Sequence, residues 1–248
     1  MTFPAPRQSC FVAGTDTGVG KTHISAALLH WCGQQGWASA GLKPVAAGSY
    51  LVDGRSVNDD VQALQAASTL NLSDAEVGPF QFATACAPHI AAQLEGKTIE
   101  RAPILAAAHD LMARAEVTVV EGVGGFCVPL NDCWDTADLA QELGLPVVLV
   151  VGIRLGCLSH AILTAEAIRA RGLMLAGWVG NVIDPSTEHL SANLATLRYE
   201  MQRRYQAPCL GQVPWMSHPA PALIATHFDA AALHALFSLL PLSSFGSE

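Results

Sequence analysis

Residues Phe11 to Thr22 read FVAGTDTGVGKT, an apolar strand that runs into a glycine-rich turn ending in Gly-Lys-Thr. Its glycines let the backbone turn tightly with N–H groups pointing inward. The next residues, Thr22 to Gln34, have a helical pattern, and a helix N-terminus offers unpaired donors and about +0.5 of an elementary charge. The stretch therefore predicts a cradle for nucleotide polyphosphate, with Lys21 on the β and γ phosphates and the Thr22 hydroxyl on Mg²⁺.

The spacing of this loop departs from its commonest form, because Thr15 stands where the first glycine is usual and Gly14 comes one place earlier. A flexible loop without a ligand is the alternative interpretation. It leaves unexplained a lysine at a helix N-terminus, where the helix dipole repels a cation unless an anion lies between them.

The composition bounds the class of protein. The chain has 248 residues, of which 51% are apolar and only 14% charged, so much of it must be buried inside one domain or at a subunit contact. No linker divides it, and we expect a single domain over residues 1–248 and an oligomer. The net charge of -8 and the lack of a basic run exclude a general nucleic-acid binder.

The seven cysteines form no C-x-x-C pair, which favours reduced thiols over a disulfide framework or a zinc site. The first ten residues, MTFPAPRQSC, lack a secretory signal, and the apolar run from Leu145 to Ile153 is too short to span a bilayer. We therefore expect a soluble, cytoplasmic protein without a membrane partner.

Short β-branched runs alternate with longer amphipathic stretches along the chain. The predicted strands are Ser9 to Ala13, Ser39 to Val45, Val117 to Glu121, Pro146 to Gly152, Leu175 to Gly180 and Cys209 to Val213. The predicted helices include Thr22 to Gln34, Ile104 to Ala115, Thr136 to Leu143, Ser159 to Arg171 and Thr187 to Arg204. This alternation predicts a doubly wound α/β fold, mainly parallel, with helices on both faces and ligands at the carboxyl ends of the strands.

Polar side chains follow several of these predicted strands. Lys43 closes an apolar run, Glu121 ends VTVVEG, and Asn181 ends GWVGN. Glu121 is placed to hold Mg²⁺ opposite the threonine of the phosphate loop, and Asn181 to read an adenine edge. A solvated lysine, a capping carboxylate and a turn-forming asparagine are the structural alternatives. Asp59 and Asp60 lie before an amphipathic stretch, and either could cap that helix.

Taken in order, these motifs resemble the dethiobiotin synthetase family over nearly the whole chain. The segments that carry the resemblance are GTDTGVGKT, KPVAAG, NDD, PHI (88–90), EGVGG, LGCLSHAILT (155–164), GWVGN and VPW (213–215). The resemblance implies closure of a cyclic urea on 7,8-diaminononanoate with CO₂ and ATP, through a carbamate and a carbamic-phosphoric anhydride. It implies Mg²⁺ as cofactor and a homodimer with the substrate across the interface.

The resemblance also assigns site residues. Lys21 and Lys43 are the implied catalytic lysines, and Thr22, Asp60 and Glu121 the implied metal ligands. Implied nucleotide contacts are Asp16, Thr17, Gly18, Val19, Gly20, Lys21, Thr22, His23, Asp60, Glu121, Gly122, Gly124, Asn181, Pro214 and Trp215. Implied substrate contacts are Thr17, Lys43, Ala47, Gly124 and Gly125, with Leu155, Gly156, Cys157, Leu158 and Ser159 supplied by the partner protomer for the carboxylate tail.

Two positions depart from the family pattern. Family members commonly carry Ser or Thr where this chain has Ala47, which removes one hydroxyl contact worth about 0.5–1.5 kcal/mol, and Ser49 follows as a candidate replacement. The acidic residue that often follows the Pro-Trp turn is missing from residues 217–222, where it would bear on nucleotide preference.

Two other classes share this phosphate loop. A regulatory or partitioning ATPase usually adds a second lysine at the start of the loop, where this chain has Thr15, Asp16 and Thr17, and residues 237–248 lack a basic amphipathic face for a membrane. An amide-forming synthase related to cobalamin biosynthesis normally carries a further glutaminase domain, for which this chain has no room.

Overall fold

The computed structural model describes residues 8–238, and twelve strands are defined within that range. In chain order they are β1 (Cys10–Gly14), β2 (Ser39–Leu42), β3 (Val45–Ala47), β4 (Tyr50–Val52), β5 (Arg55–Val57), β6 (Phe80–Phe82), β7 (Val117–Glu121), β8 (Pro129–Asn131), β9 (Trp134–Asp135), β10 (Val147–Ile153), β11 (Leu175–Val182) and β12 (Cys209–Val213). Six of them form the main sheet in the order β12-β11-β10-β1-β7-β2, and every neighbouring pair is parallel.

Ten helices connect these strands within the same part of the chain. They are α1 (Lys21–Gln34), α2 (Asp59–Ala67), α3 (Asp74–Val77), α4 (Pro88–Leu94), α5 (Arg101–Arg114), α6 (Thr136–Leu143), α7 (Cys157–Ala170), α8 (Leu190–Tyr205), α9 (Pro221–Ala225) and α10 (Ala230–Phe237). Every residue of β1, β7 and β10 is buried, so both faces of the sheet are covered. The predicted doubly wound α/β fold is confirmed.

The predicted strand from Ser39 to Val45 is wrong in its second half. The main-sheet strand ends at Leu42, and Val45 begins β3, which pairs with β6 in a separate two-stranded sheet. Pro44 lies at the break, at the end of the edge strand β2, and because proline has no N–H it cannot donate a hydrogen bond to continue a ladder. The break leaves Lys43 at the end of β2, beside the main sheet.

All the other predicted strands and helices are present. Their ends either match the prediction or differ from it by a few residues. The prediction missed strand β6, the short pairs β4 with β5 and β8 with β9, and also helices α3, α4, α9 and α10. Expectations about the chain ends concern residues 1–10 and 237–248, of which 1–7 and 239–248 lie outside the described residues. Between residues 8 and 238, no helix has both the length and the apolar character needed to cross a membrane.

Candidate active site

A cleft of about 1020 Å³ opens at the carboxyl ends of the main-sheet strands. Proteins of this fold type bind their ligands at that edge of the sheet. The cleft brings together most of the residues named from the sequence. Those lining it are Asp16, Thr17, Gly18, Gly20, Lys21, Thr22, His23, Lys43, Ala47, Asp60, Glu121, Gly124, Gly125, Asn181, Pro214 and Trp215.

The glycine-rich loop between β1 and α1 forms the floor of the cleft. Gly18 and Gly20 have φ angles of 73° and 88°, a region in which a side chain is strained. A Cβ on Gly20 would lie 2.3 Å from Asn181 Nδ2, so Gly20 is required by packing as well as by conformation. No side chain of the described residues caps α1, which leaves the N–H groups of its first turn available to an anion.

Lys21, the first residue of α1, points its ammonium back across the loop. Its Nζ donates to the carbonyl oxygens of Asp16, at 3.0 Å, and of Gly124. Burial, followed by repulsion from Lys43, lowers the pKa of Lys21 to about 8. An anion bound in the loop would favour the charged form, so Lys21 is placed to neutralise phosphate.

Lys43 lies buried between two carboxylates. Its Nζ is 2.6 Å from Glu121 Oε1 and 2.8 Å from Asp60 Oδ2. The Thr22 hydroxyl oxygen lies 2.7 Å from Glu121 Oε1 and 2.8 Å from Asp60 Oδ1, within reach to donate to either carboxylate. Two strands, β2 and β7, and two helices, α1 and α2, thus bring residues that are distant in sequence into one polar cluster.

Electrostatics favour the charged forms of Lys43 and Asp60 within this cluster. Burial opposes the charge on Lys43, but Glu121 and Asp60 outweigh burial and raise its pKa above the usual value. Burial likewise opposes the charge on Asp60, and Lys43 outweighs it, so the pKa of Asp60 is lowered. The pair of Lys43 with Glu121 is buried on both sides, and removing either partner would leave an uncompensated charge in the interior.

The cluster has the chemistry of a magnesium site. Glu121 is fully buried, yet its Oε2 finds no hydrogen-bond partner among the described residues. Across residues 8–238, no group of three or more His, Cys, Asp and Glu side chains is arranged to hold a metal. Two carboxylates and a hydroxyl fit Mg²⁺, which keeps several waters and takes its remaining ligands from substrate phosphates.

Asp59 and Asp60 both lie in the first turn of α2, but neither caps it. The cap is Asn58, whose Oδ1 accepts hydrogen bonds from the N–H groups of Asp60, at 3.1 Å, and Val61. The Asp59 carboxylate accepts a hydrogen bond from the Tyr50 hydroxyl at 2.7 Å. With the cap provided by Asn58, the Asp60 side chain reaches Lys43 and Thr22.

The far end of the cleft is more apolar. Asn181, in β11, donates from Nδ2 to the carbonyl oxygen of Val19 at 2.9 Å, so its amide nitrogen supports the phosphate loop. Trp215 lines the cleft beside Pro214 and is 47% exposed, whereas the other four tryptophans are each at most 8% exposed. An aromatic face and a proline ring form the kind of surface on which a nucleotide base stacks.

Some predicted residues lie outside the cleft. Val19 is buried beneath the loop and presents its carbonyl to Asn181, and Gly122 presents its carbonyl to Lys43 Nζ at 3.3 Å. Residues 155–159 do not line the cleft of their own chain. Leu155 is 98% exposed, and Gly156, with a φ of 93°, is the N-cap residue of α7.

Other lining residues were missed by the sequence analysis. They are Ala63, Ala85, Cys86, Ala87, Val123, Val128, Val182, Ile183, Met216, Pro219 and Ile224. Small and apolar residues carry no chemical signal in a sequence, although the PHI motif at 88–90 marks the start of α4 and Pro88 also lines the cleft. Ser49 is not among the lining residues, because it is buried and its hydroxyl lies 3.4 Å from Asn58 Nδ2.

A glycine-rich loop after the first strand, a lysine and threonine opening the next helix, and a buried acid ending a neighbouring strand together define a P-loop nucleotide-binding protein. A family model described as AAA domain matches residues 8–221. The solved MinC:MinD cell division protein complex from Aquifex aeolicus shares this fold, with a TM-score of 0.54 and 10% identity over 97% of this chain and all of that chain.

Two curated relatives are far more similar in sequence. Both are named ATP-dependent dethiobiotin synthetase BioD. The relative from Aromatoleum aromaticum is 53% identical over 91% of this chain and 97% of its own length. The relative from Ralstonia nicotianae is 52% identical over 92% of this chain and 97% of its own length. The chain belongs to the ATP-dependent dethiobiotin synthetase family.

Proposed function

We propose that this chain makes dethiobiotin from 7,8-diaminononanoate, CO₂ and ATP, in biotin biosynthesis. Family membership supports the overall reaction. The observation that carries the proposal is the cluster at the carboxyl edge of the sheet, where Lys43 is buried between Glu121 and Asp60 next to the phosphate loop. Such a site can bring a carbamate and a polyphosphate together, although both are anions.

The reaction runs in three steps. One amine nitrogen of the diamine bonds to the carbon of CO₂ and loses a proton, which gives a carbamate. A carbamate oxygen then bonds to the γ phosphorus of ATP while the bond from that phosphorus to ADP breaks. The second amine nitrogen attacks the carbonyl carbon of the resulting carbamic-phosphoric anhydride, the C–O bond to phosphate breaks, and loss of a proton leaves the cyclic urea.

Lys21 and Lys43 have separate roles in this scheme. Lys21 lies within the phosphate loop and neutralises the phosphates of ATP, a role supported by its hydrogen bonds to two loop carbonyls. Lys43 lies at the end of β2 and carries its charge at neutral pH, so it is placed to hold the carbamate oxygen against the γ phosphate. Most of the rate enhancement would then come from positioning and charge neutralisation.

Thr22, Asp60 and Glu121 would hold Mg²⁺. When bound, Mg²⁺ spreads the negative charge that develops on the phosphate oxygens. Glu121 offers the unpaired Oε2 and Thr22 its hydroxyl, while Asp60, on α2, completes the set with a carboxylate oxygen 2.8 Å from that hydroxyl.

We further propose that the active form is a homodimer in which residues 155–159 of one protomer receive the carboxylate tail of the diamine bound by the other. Leu155 and Leu163 are both strongly exposed, at the start and on the surface of α7. No side chain of the described residues caps the start of α7, so its first N–H groups are available to a carboxylate. The cytoplasm is the compartment we propose, since biotin precursors, ATP and reduced cysteines occur there.

The test measures phosphate release by the purified chain with Mg-ATP and bicarbonate, with and without the diamine, and identifies the product by mass. We expect release that depends on the diamine and a cyclic urea product. Lys43→Met should abolish it, and Lys97→Met, which changes an exposed lysine paired with Glu95, should leave it unchanged. Steady hydrolysis that ignores the diamine would instead favour a regulatory ATPase.

The dimer is tested by light scattering on the eluting peak of a sizing column. We expect twice the mass of the chain, and we expect Leu155→Asp to raise the KM for the diamine. A monomeric chain with full activity would contradict the proposed interface.

A further inference from the structure

Arg154 is the single residue between the end of β10 and the Leu155 to Ser159 segment, and the reaction scheme above gives it no role. Its Nη2 donates to Asp16 Oδ2 at 2.6 Å. The two residues are 138 positions apart in sequence, so this ion pair joins the phosphate loop to the start of α7.

Two more polar atoms of Asp16 bind it into the phosphate loop. Its Oδ1 accepts the N–H of Thr17 at 2.8 Å, and its carbonyl oxygen accepts Lys21 Nζ at 3.0 Å. Movement of the Asp16 carboxylate would therefore change the conformation of the phosphate loop and the position of the Lys21 ammonium.

Arg154 is tied into the start of α7 in the same way. Its carbonyl oxygen accepts the N–H of Cys157, the first residue of that helix, at 3.0 Å. Four residues earlier, Val150 accepts the N–H of Thr15, at the beginning of the phosphate loop, also at 3.0 Å. The side chain of Arg154 thus adds a second link between the phosphate loop and the segment that runs from β10 into α7, which already share this backbone hydrogen bond.

The pair is too exposed to act through stability alone. Arg154 and Asp16 are 43% and 47% exposed, and exposed ion pairs contribute little to folding. The same exposure leaves both side chains room to move, so Asp16 can shift when phosphate binds at the loop and Arg154 when a carboxylate binds at the start of α7.

We infer that Arg154 is a positioning residue that couples nucleotide binding at the phosphate loop to binding of the diamine carboxylate at the start of α7. The inference rests on the proposed function, since it takes residues 155–159 as the site of the carboxylate. Because those residues serve the partner's substrate in the proposed dimer, the coupling runs between the two active sites. Binding at either end then favours binding at the other to the same extent.

The test compares two diamines, 7,8-diaminononanoate and the same compound reduced to the alcohol at its carboxylate. The dissociation constant of a non-hydrolysable ATP analogue is measured by calorimetry in the presence of each. Direct contacts between the amines and the nucleotide contribute equally to the two dissociation constants, so any difference between them comes from the carboxylate. For the unaltered chain we expect about fivefold tighter nucleotide binding with the carboxylate than with the alcohol, the lower end of typical coupling between sites.

The measured quantity is the ratio of the two nucleotide dissociation constants, the value with the alcohol divided by the value with the carboxylate. Arg154→Met should bring this ratio close to one and raise the KM for the diamine while kcat changes little. Arg154→Lys, which keeps the charge without the planar fork, should restore part of the ratio. Arg114→Met is the matched control, because Arg114 pairs with Glu76 at 2.7 Å and is 40% exposed, and its ratio should equal that of the unaltered chain.

A ratio near one in the unaltered chain, or an unchanged ratio in Arg154→Met, would overturn the inference. So would a loss of nucleotide affinity in Arg154→Met that is the same with both diamines, since that would mark a purely structural role. These failures are distinct from failure of the proposed function, which would appear as an unaltered chain that forms no cyclic urea.

Discussion

Raising the pH through the titration of Lys21 should weaken nucleotide binding. Burial and Lys43 lower the pKa of Lys21 to about 8 in the ligand-free chain. About three quarters of molecules then carry the ammonium at pH 7.5, and about one in eleven at pH 9.0. Since bound polyphosphate favours the charged form, the dissociation constant of an ATP analogue should rise about eightfold over this range, roughly 1.3 kcal/mol.

Calorimetry in two buffers of different ionisation enthalpy measures both the affinity and the protons exchanged. At pH 8 we expect uptake of about half a proton per nucleotide, because half of the free lysines must be charged on binding. Lys21→Met should bind more weakly and take up no proton at this pH. The ATP phosphates are already deprotonated there and contribute no further uptake.

A dissociation constant that stays level between pH 7.5 and 9.0, or a proton count near zero at pH 8, would refute this account of Lys21. The same pKa bears on the stability of the ligand-free fold. The unfolded chain holds this proton up to about pH 10.5. Between the two pKa values it binds more protons than the folded chain, so the contribution of Lys21 to stability rises with pH there.

Three further outcomes follow from the cleft. Gly20→Ala should abolish nucleotide binding, because its Cβ would meet Asn181. Gly54→Ala, also at positive φ but in open space, should leave nucleotide binding intact and lower the free energy of unfolding by only about 1–2 kcal/mol, measured by denaturant unfolding. Lys43→Met should cost about 3–5 kcal/mol by leaving Glu121 unpaired, and Mg²⁺ should restore more stability to this variant than to the unaltered chain. Trp215→Phe should remove the nucleotide-induced change in tryptophan fluorescence, because Trp215 is the only one of the five tryptophans, all of them within the described residues, that lines the cleft.

The sequence predicted the main sheet and the phosphate loop because both depend on local patterns. A run such as Val147–Ile153 is apolar throughout and fully buried, and the loop residues from Gly14 to Thr22 set their own backbone geometry. Periodicity and turn chemistry are properties of neighbouring residues, and one sequence displays them directly.

The contacts of Lys43 could not be predicted from local patterns. Periodicity alone could not distinguish a solvated lysine from one buried against Glu121, because that contact joins residues 78 positions apart. Family resemblance supplied the role of Lys43, and the contacts came from the structure. The lining alanines at 85 and 87 gave no signal at all, since nothing in their chemistry separates a cleft wall from a helix surface.

Arg154 illustrates a different omission. The residues that follow it, 155–159, resemble a substrate-binding segment, but the side chain of Arg154 itself pairs with Asp16 in the phosphate loop. An ion pair between exposed residues leaves no periodic trace, so only the fold reveals it.

The order of strands in the main sheet divides the cleft into two halves, with β1 at the boundary. On one side, β7 ends in Glu121 and β2 leads into Lys43, and on the other, β11 carries Asn181 and β12 leads to Trp215. Under the proposed function, the first half meets the reacting groups and the second half meets the base. Evolution could then alter the choice of nucleotide in one half of the sheet while the residues that serve ring closure, in the other half, stay as they are.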